Sequence, residues 1–259
     1  MEYALVTGGS KGIGKAIAEQ LAQKKINILL VARSEDLLRE TALEIENKYN
    51  VKTAFFAIDL AQQNASQKVY NWCNENNFTI NVLINNAGYG LSGALDKYSL
   101  QEYNAMMQVN MNVLVEMSYL FIPMLKSCKQ SFILNIASAA AYQSVPGLNV
   151  YAATKSFVLS FSRGLNIELK NTSIFVAVGC PGATDTNFAN RANATGKKAV
   201  EMANKFNMQP TEVASILVQG LFAKKVEIIT GFTNKFGVFA AWLLPKKIVE
   251  KIAGSIYDL

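Results

Sequence analysis

The sequence predicts an α/β fold: a doubly wound sheet, mostly or wholly parallel, of about seven strands with helices on both faces. Three observations predict it. Short apolar runs rich in β-branched residues alternate with longer segments of helical period, the rhythm of right-handed crossovers onto a parallel sheet. A glycine-rich turn, Gly8 to Gly14, follows the first apolar run directly and opens a helical segment. The remaining motif-bearing residues fall at the carboxyl ends of predicted strands or on the helices after them, which is where open parallel sheets bind ligands.

The first strand is Tyr3–Thr7, and Ile13 to Lys24 carries the helix after the glycine turn, about 12–24. The second strand is Asn27–Ala32, with helix 34–48 behind it. The third is Thr53–Ile58, with helix 62–76, and the fourth is Asn81–Asn85. One long helical pattern follows at 100–127. Strand Ser131–Ala137 precedes helix 149–170, strand Ser173–Val178 precedes helix 211–224, and Val226–Ile229 closes the sheet. The runs are nearly continuous in apolar residues, as strands covered on both faces should be.

At 259 residues the chain is long for one domain, but doubly wound sheets reach this size undivided. No Pro/Gly/Ser-rich linker, repeat or low-complexity tract splits it, so 1–259 reads as one unit. Two segments stand apart. The polar, Asn-rich stretch 187–209 reads as a mobile substrate lid. The tail 235–259 carries Phe236, Val238, Phe239, Trp242, Leu243 and Leu244 before Pro245-Lys246-Lys247, with Ile248, Val249 and Ile252 after it. It is too short to span a bilayer. Core packing or a subunit interface, a wall of the substrate pocket and a peripheral membrane contact all remain open for it.

Composition excludes several chemistries. The chain has no His and three unpatterned cysteines, Cys73, Cys128 and Cys180, which removes a zinc site and any His-based triad; no metal is expected. Met1-Glu2 runs straight into the first strand, leaving no room for a signal peptide, and scattered thiols fit a reducing compartment. The expected location is cytoplasmic. The net charge of +6 comes from dispersed lysines without a basic stripe interleaved with aromatics, so no nucleic-acid partner is expected.

The glycine turn reads Thr7-Gly8-Gly9-Ser10-Lys11-Gly12-Ile13-Gly14. Gly8, Gly12 and Gly14 let the backbone turn tightly and approach a pyrophosphate, and the next helix offers its free amides and positive dipole end. The second strand ends Val31-Ala32-Arg33, where an enzyme selecting a free ribose 2′-hydroxyl usually carries an acid. Arg33 and Lys11 suit a 2′-phosphate instead. Tyr151 and Lys155 lie four residues apart on one helix face. Without His, Tyr151 is the remaining proton donor for a carbonyl oxygen; a phenol ordinarily titrates near ~10, and an adjacent ammonium favours the phenolate. Ser138 ends a predicted strand, where its hydroxyl can stabilise developing charge or serve simply as a turn or cap residue. Asn110 sits inside the 100–127 helical pattern, a mildly unfavourable place that invites a functional reason.

These motifs, with Asp59-Leu60, Asn86-Ala87-Gly88 and Pro181-Gly182-Ala183-Thr184-Asp185-Thr186 in the same order, resemble the short-chain dehydrogenase/reductase family over residues 1 to about 230. The resemblance implies a Rossmann-type fold and NADP(H) as cofactor. It places Asp59 against the adenine amine, although a helix N-terminal acid fits equally, and Asn86 near the adenine-side ribose. It gives Lys155 the nicotinamide ribose hydroxyls, Asn110 a water that relays protons to Lys155, and the 181–186 loop the nicotinamide, with its Thr on the carboxamide. The implied catalytic set is Asn110, Ser138, Tyr151 and Lys155. The implied cofactor set is Gly8, Ser10, Lys11, Gly12, Ile13, Gly14, Arg33, Asp59, Leu60, Asn86, Ala87, Gly88, Tyr151, Lys155, Pro181, Gly182, Thr184 and Thr186. The expected activity is interconversion of a ketone or aldehyde with an alcohol, on a small-molecule substrate of 3-oxoacyl or steroid-like type, in a homodimer or homotetramer. The rival reading, a non-catalytic NADP(H)-sensing regulator on the same fold, is disfavoured because such proteins generally lose the Tyr or Lys.

Overall fold

A computed structural model of the chain describes residues 2–185 and 207–256. Seven strands form one sheet in the order β3-β2-β1-β4-β5-β6-β7, and every neighbouring pair is parallel. The strands are β1 (Glu2–Thr7), β2 (Asn27–Ala32), β3 (Thr53–Ala57), β4 (Thr79–Asn85), β5 (Ser131–Ile136), β6 (Ile174–Cys180) and β7 (Glu227–Ile229). The expected doubly wound parallel sheet is therefore present.

Strand alternation builds two separate cores. Ala4, Val6, Ile28, Leu30, Leu134 and Ala177 point to one face. Leu5, Leu29, Val31, Ile133 and Val176 point to the other, as a side-chain period of two requires. The first face is covered by α1 (Gly12–Gln23), α2 (Glu35–Tyr49) and α7 (Pro210–Phe222). The second is covered by α3 (Ala65–Glu75), α5 (Val113–Ser127) and the end of α6 (Asn149–Glu168). Local signals set several helix ends. α2 stops where Asn50 adopts the left-handed conformation, and α4 (Leu100–Met107) starts at a reciprocal capping box between Ser99 and Glu102;.

The chain leaves β1 toward β2 and β3, then crosses back to β4 on the other side of β1. This reversal opens a crevice at the carboxyl ends of β1 and β4, and the glycine turn and the Asn86–Gly88 turn border it.

Three expectations are corrected. The helical pattern 100–127 is not one helix: a π-turn at Gln108–Asn112 separates α4 from α5. The helix expected from 62 begins only at Ala65, because Asp59 and Gln62 form a turn and Asn64 lies in the left-handed region at φ 60. β6 runs on to Cys180, since Gly179 and Cys180 pair with Ile228 and Ile229.

The tail forms α8 (Phe232–Leu243) and α9 (Lys246–Ile256). α9 docks through the buried Val249 and Ala253, whereas α8 buries no residue. Core packing is therefore the outcome for part of α9 and not for α8.

Candidate active site

The site begins where β1 ends. Gly8 and Gly12 have φ of +66 and +59, a region that favours glycine. A Cβ on Gly14 would collide with the Gly8 carbonyl and the Asn86 amide. The turn is tied to its neighbours from both sides. Gly8 N–H donates to Val31 O at 2.7 Å. The Asn86 side-chain amide donates to Thr7 O at 2.9 Å and Gly8 O at 3.3 Å. Thr7 Oγ1 accepts from the amides of Asn86 and Ala87, each at 3.0 Å, and donates to Ile84 O at 3.2 Å. Asn86 thus holds the glycine turn against the end of β4.

No side chain caps α1, so its first-turn amides face the crevice as a ready anion site. Lys11 and Arg33 are exposed beside it. A cradle where a Cβ cannot fit, an uncapped helix N-terminus and two cations form a set that fits the phosphates of a dinucleotide. Ser10 O accepts from Thr41 at 3.3 Å, while Ile13 packs on the α1 core.

Beyond β3, Asp59 Oδ1 accepts from Ala61 N–H at 3.0 Å, a local turn and not the helix N-terminal acid the sequence allowed, since α3 begins only at Ala65. Leu60 is buried and Ala87 packs on the same core as it does. Burial pushes the Tyr89 phenol up, with Arg33 opposing and Asp59 reinforcing that shift, so both charges lie near it.

The candidate catalytic groups converge from three elements. Ser138 follows β5 in an extended conformation and its Oγ accepts from Ala140 N–H at 3.1 Å. The oxygen caps the 3-10 turn Ala139–Tyr142 with a lone pair, which leaves its O–H chemistry intact for a substrate. Tyr151 and Lys155 lie on the first turns of α6, both buried. Lys155 Nζ donates to Ile136 O at 2.8 Å and stands over the Tyr151 ring. Burial lowers the Lys155 ammonium from 10.5 to about 8. Gly88 lets the chain pass close by, since a Cβ there would lie 3.0 Å from Asn110 Oδ1 and 3.3 Å from Lys155 Nζ.

Asn110 explains the π-turn that carries it. Its amide donates to Tyr89 O at 2.9 Å and Thr154 Oγ1 at 3.0 Å, and its Oδ1 accepts from Tyr89 N–H at 3.1 Å. Thr154 Oγ1 in turn donates to Tyr151 O at 2.7 Å. The widened turn presents Asn110 to both partners, as π-turns at functional sites often do.

Beyond β6, Pro181 O accepts from Ala139 N–H at 2.8 Å, joining this loop to the Ser138 turn. Gly182 lies where the Asn234 side chain leaves no room for a Cβ. Thr184 pairs with Met208 and donates to Gly182 O at 3.0 Å. Thr186, and 187–206 of the expected lid, lie outside the described residues.

Sequence reasoning left Thr7, Thr154 and Asn234 without roles. Thr7 opens the glycine motif and Thr154 directly precedes Lys155, but their partners are remote in sequence; a Thr beside a motif residue is the only signal the sequence offers.

The short chain dehydrogenase family model matches residues 2–197. The chain is 37% identical over 194 residues to a very-long-chain 3-oxoacyl-CoA reductase of Rattus norvegicus, covering 73% of this chain and 61% of that one. It thus spans about three-fifths of the length of that curated relative. Among solved structures, a short-chain dehydrogenase from Sphingobium yanoikuyae in complex with NADPH is 27% identical with a TM-score of 0.82, covering 93% of this chain and 91% of that one. A bulky-bulky ketone specific alcohol dehydrogenase from Comamonas testosteroni is 28% identical with a TM-score of 0.76, covering 90% and 87%.

Proposed function

We propose, on the premise that this chain belongs to the short-chain dehydrogenase family, that it reduces the keto group of 3-oxoacyl thioesters with NADPH. The chain is an oxidoreductase of that family, whose members use a nicotinamide cofactor. The observation that carries carbonyl reduction is the buried Lys155 ammonium beside the Tyr151 ring, on the same crevice as Ser138.

Gly8, Gly12, Gly14 and the N-terminus of α1 would hold the cofactor's pyrophosphate. Lys11 and Arg33 would take a 2′-phosphate, Arg33 in forked geometry. The cofactor supplies a hydride when bound. The chain's own residues manage the oxygen and its proton. Ser138 O–H donates to the substrate carbonyl and holds it as negative charge develops. Tyr151 delivers its phenolic proton to that oxygen. The Lys155 ammonium stabilises the phenolate left behind, and Ile136 O keeps the Nζ in place. Asn110 and Thr154 fix the backbone at Tyr89 and Tyr151. The substrate class rests on the likeness to the very-long-chain 3-oxoacyl-CoA reductase of Rattus norvegicus, and the likeness to the bulky-bulky ketone specific alcohol dehydrogenase of Comamonas testosteroni supports a large carbonyl substrate.

Loss of NADPH absorbance with 3-oxoacyl-CoA substrates of graded chain length, beside bulky ketones, tests this reading. Turnover that improves with acyl length is expected. Turnover of bulky ketones alone would overturn the thioester assignment, and none with any carbonyl would overturn the reductase.

A further inference from the structure

We infer that α8 and α9 form a docking surface for an anionic lipid membrane. The first observation is the direction in which α8 faces. Phe232, Phe236, Phe239 and Leu243 recur at helical spacing, with Trp242 beside them, and all five are exposed: Phe232 by 84%, Phe236 by 64% and Trp242 by 78%. The face turned to the protein carries the half-buried Asn234, Val238 and Ala241 instead. The apolar stripe of this helix therefore points outward, the reverse of a helix that covers a core.

The second observation is α9. Val249 and Ala253 are buried, and Glu250 accepts from Ser144 Oγ at 3.2 Å. Its outer face is then Lys247, Ile248, Lys251 and Ile252, all exposed. Each of the two helices, joined through Leu244 and Pro245, therefore turns apolar groups and lysines outward.

Charge selects the occupant. Between residues 232 and 256 the chain has four lysines, Lys235, Lys246, Lys247 and Lys251, and one acid, Glu250. That acid is engaged with the body of the protein. A second copy seated on this face would confront lysines with lysines, whereas an anionic headgroup layer complements them while the aromatic stripe enters the acyl boundary. Among the described residues no helix is long and apolar enough to cross a membrane, so the contact lies in the plane of the interface. α8 also packs against the 3-10 turn that follows Ser138, which sets the lipid surface beside the site.

Flotation with vesicles tests the surface without any substrate. The full chain should bind vesicles of phosphatidylcholine containing about one-third phosphatidylglycerol at least ~10-fold more tightly than phosphatidylcholine alone. High salt should weaken that binding. Phe236→Glu/Trp242→Glu should abolish binding to both. Lys246→Glu/Lys247→Glu should remove only the preference for anionic vesicles. Unchanged NADPH binding in these variants shows that the fold is intact. Absence of vesicle binding by the full chain would overturn the inference. So would a soluble dimer that Phe236→Glu/Trp242→Glu converts to monomer, which would give the face to a second copy. Because the readout is lipid binding, its failure is distinct from failure of the proposed reductase activity.

Discussion

The Lys155 ammonium stands 5.7 Å from the centroid of the Tyr151 ring and donates to the carbonyl of Ile136 at 2.8 Å. A cation is thus held in a buried place, next to the group that would carry negative charge during turnover. Low local dielectric makes its influence on the phenol larger than a surface lysine could exert. The same burial makes the resting protein less stable.

Lys155→Met should separate these two effects. In the folded chain Lys155 titrates near 8, below its ordinary 10.5. Between those values the unfolded chain binds more protons, so this group adds stability as pH rises from about 8 to 10.5; below 8 its penalty is complete. The difference corresponds to about 3 kcal/mol, offset by one charged hydrogen bond worth ~1.5–3 kcal/mol. Lys155→Met should therefore unfold at the same or higher denaturant concentration at pH 7, by up to ~1.5 kcal/mol. That margin should shrink toward pH 10. A variant clearly less stable than the parent at pH 7 would show that the ammonium is not penalised by burial.

Cofactor choice follows from Lys11 and Arg33. Two charge-assisted contacts to a 2′-phosphate should favour NADPH over NADH by at least ~30-fold in Kd, about 2 kcal/mol. Calorimetric titration of the two cofactors measures it directly. Arg33→Asp should narrow or invert the preference, and equal constants in the parent chain would refute the assignment.

Much of this architecture was legible in the sequence. Strands such as Ile28 to Val31 announce themselves because both faces of the sheet are covered, and the site motifs follow because they border one crevice. The misses have physical causes. The π-turn preserves the apolar periodicity around Val109 and Val113, so nothing in Val109-Asn110-Met111-Asn112 marks the widened turn. Gly179-Cys180 looks like the start of a loop, yet β7 extends the pairing there. Thr7 organises the glycine turn through partners 77 to 80 residues away, and Thr154 reaches Asn110 across 44. In the tail, period 3.6 identifies which residues share a face of α8 but not which way that face points.

Asn110→Ala probes the link between the π-turn and the site. The substitution strands the N–H and C=O of Tyr89, which Asn110 now satisfies. Both bonds are part-buried, so each group left without its partner costs about 1–2 kcal/mol, the lower part of the range for a fully buried one. Equilibrium unfolding should show a loss of about 2–4 kcal/mol, together with reduced turnover. An unaltered unfolding curve would mean that these bonds contribute nothing to holding the turn.

Tyr151→Phe keeps the ring and removes only the proton donor. NADPH should still bind, because the phosphates are held by the glycine turn, Lys11 and Arg33. Turnover should fall by a factor on the order of 100 to 10,000, the usual contribution of a placed general acid. Lys155→Ala should lower turnover as well and should also weaken cofactor binding, since the Lys serves both proton transfer and the expected ribose contact. In the double variant the two losses should not add, because both residues act on one proton transfer. Additive losses would assign Tyr151 and Lys155 to separate steps. Near-normal turnover in Tyr151→Phe would require another acid on the same crevice; the O–H of Ser138, whose oxygen already caps the turn at Ala140, would be the first to substitute.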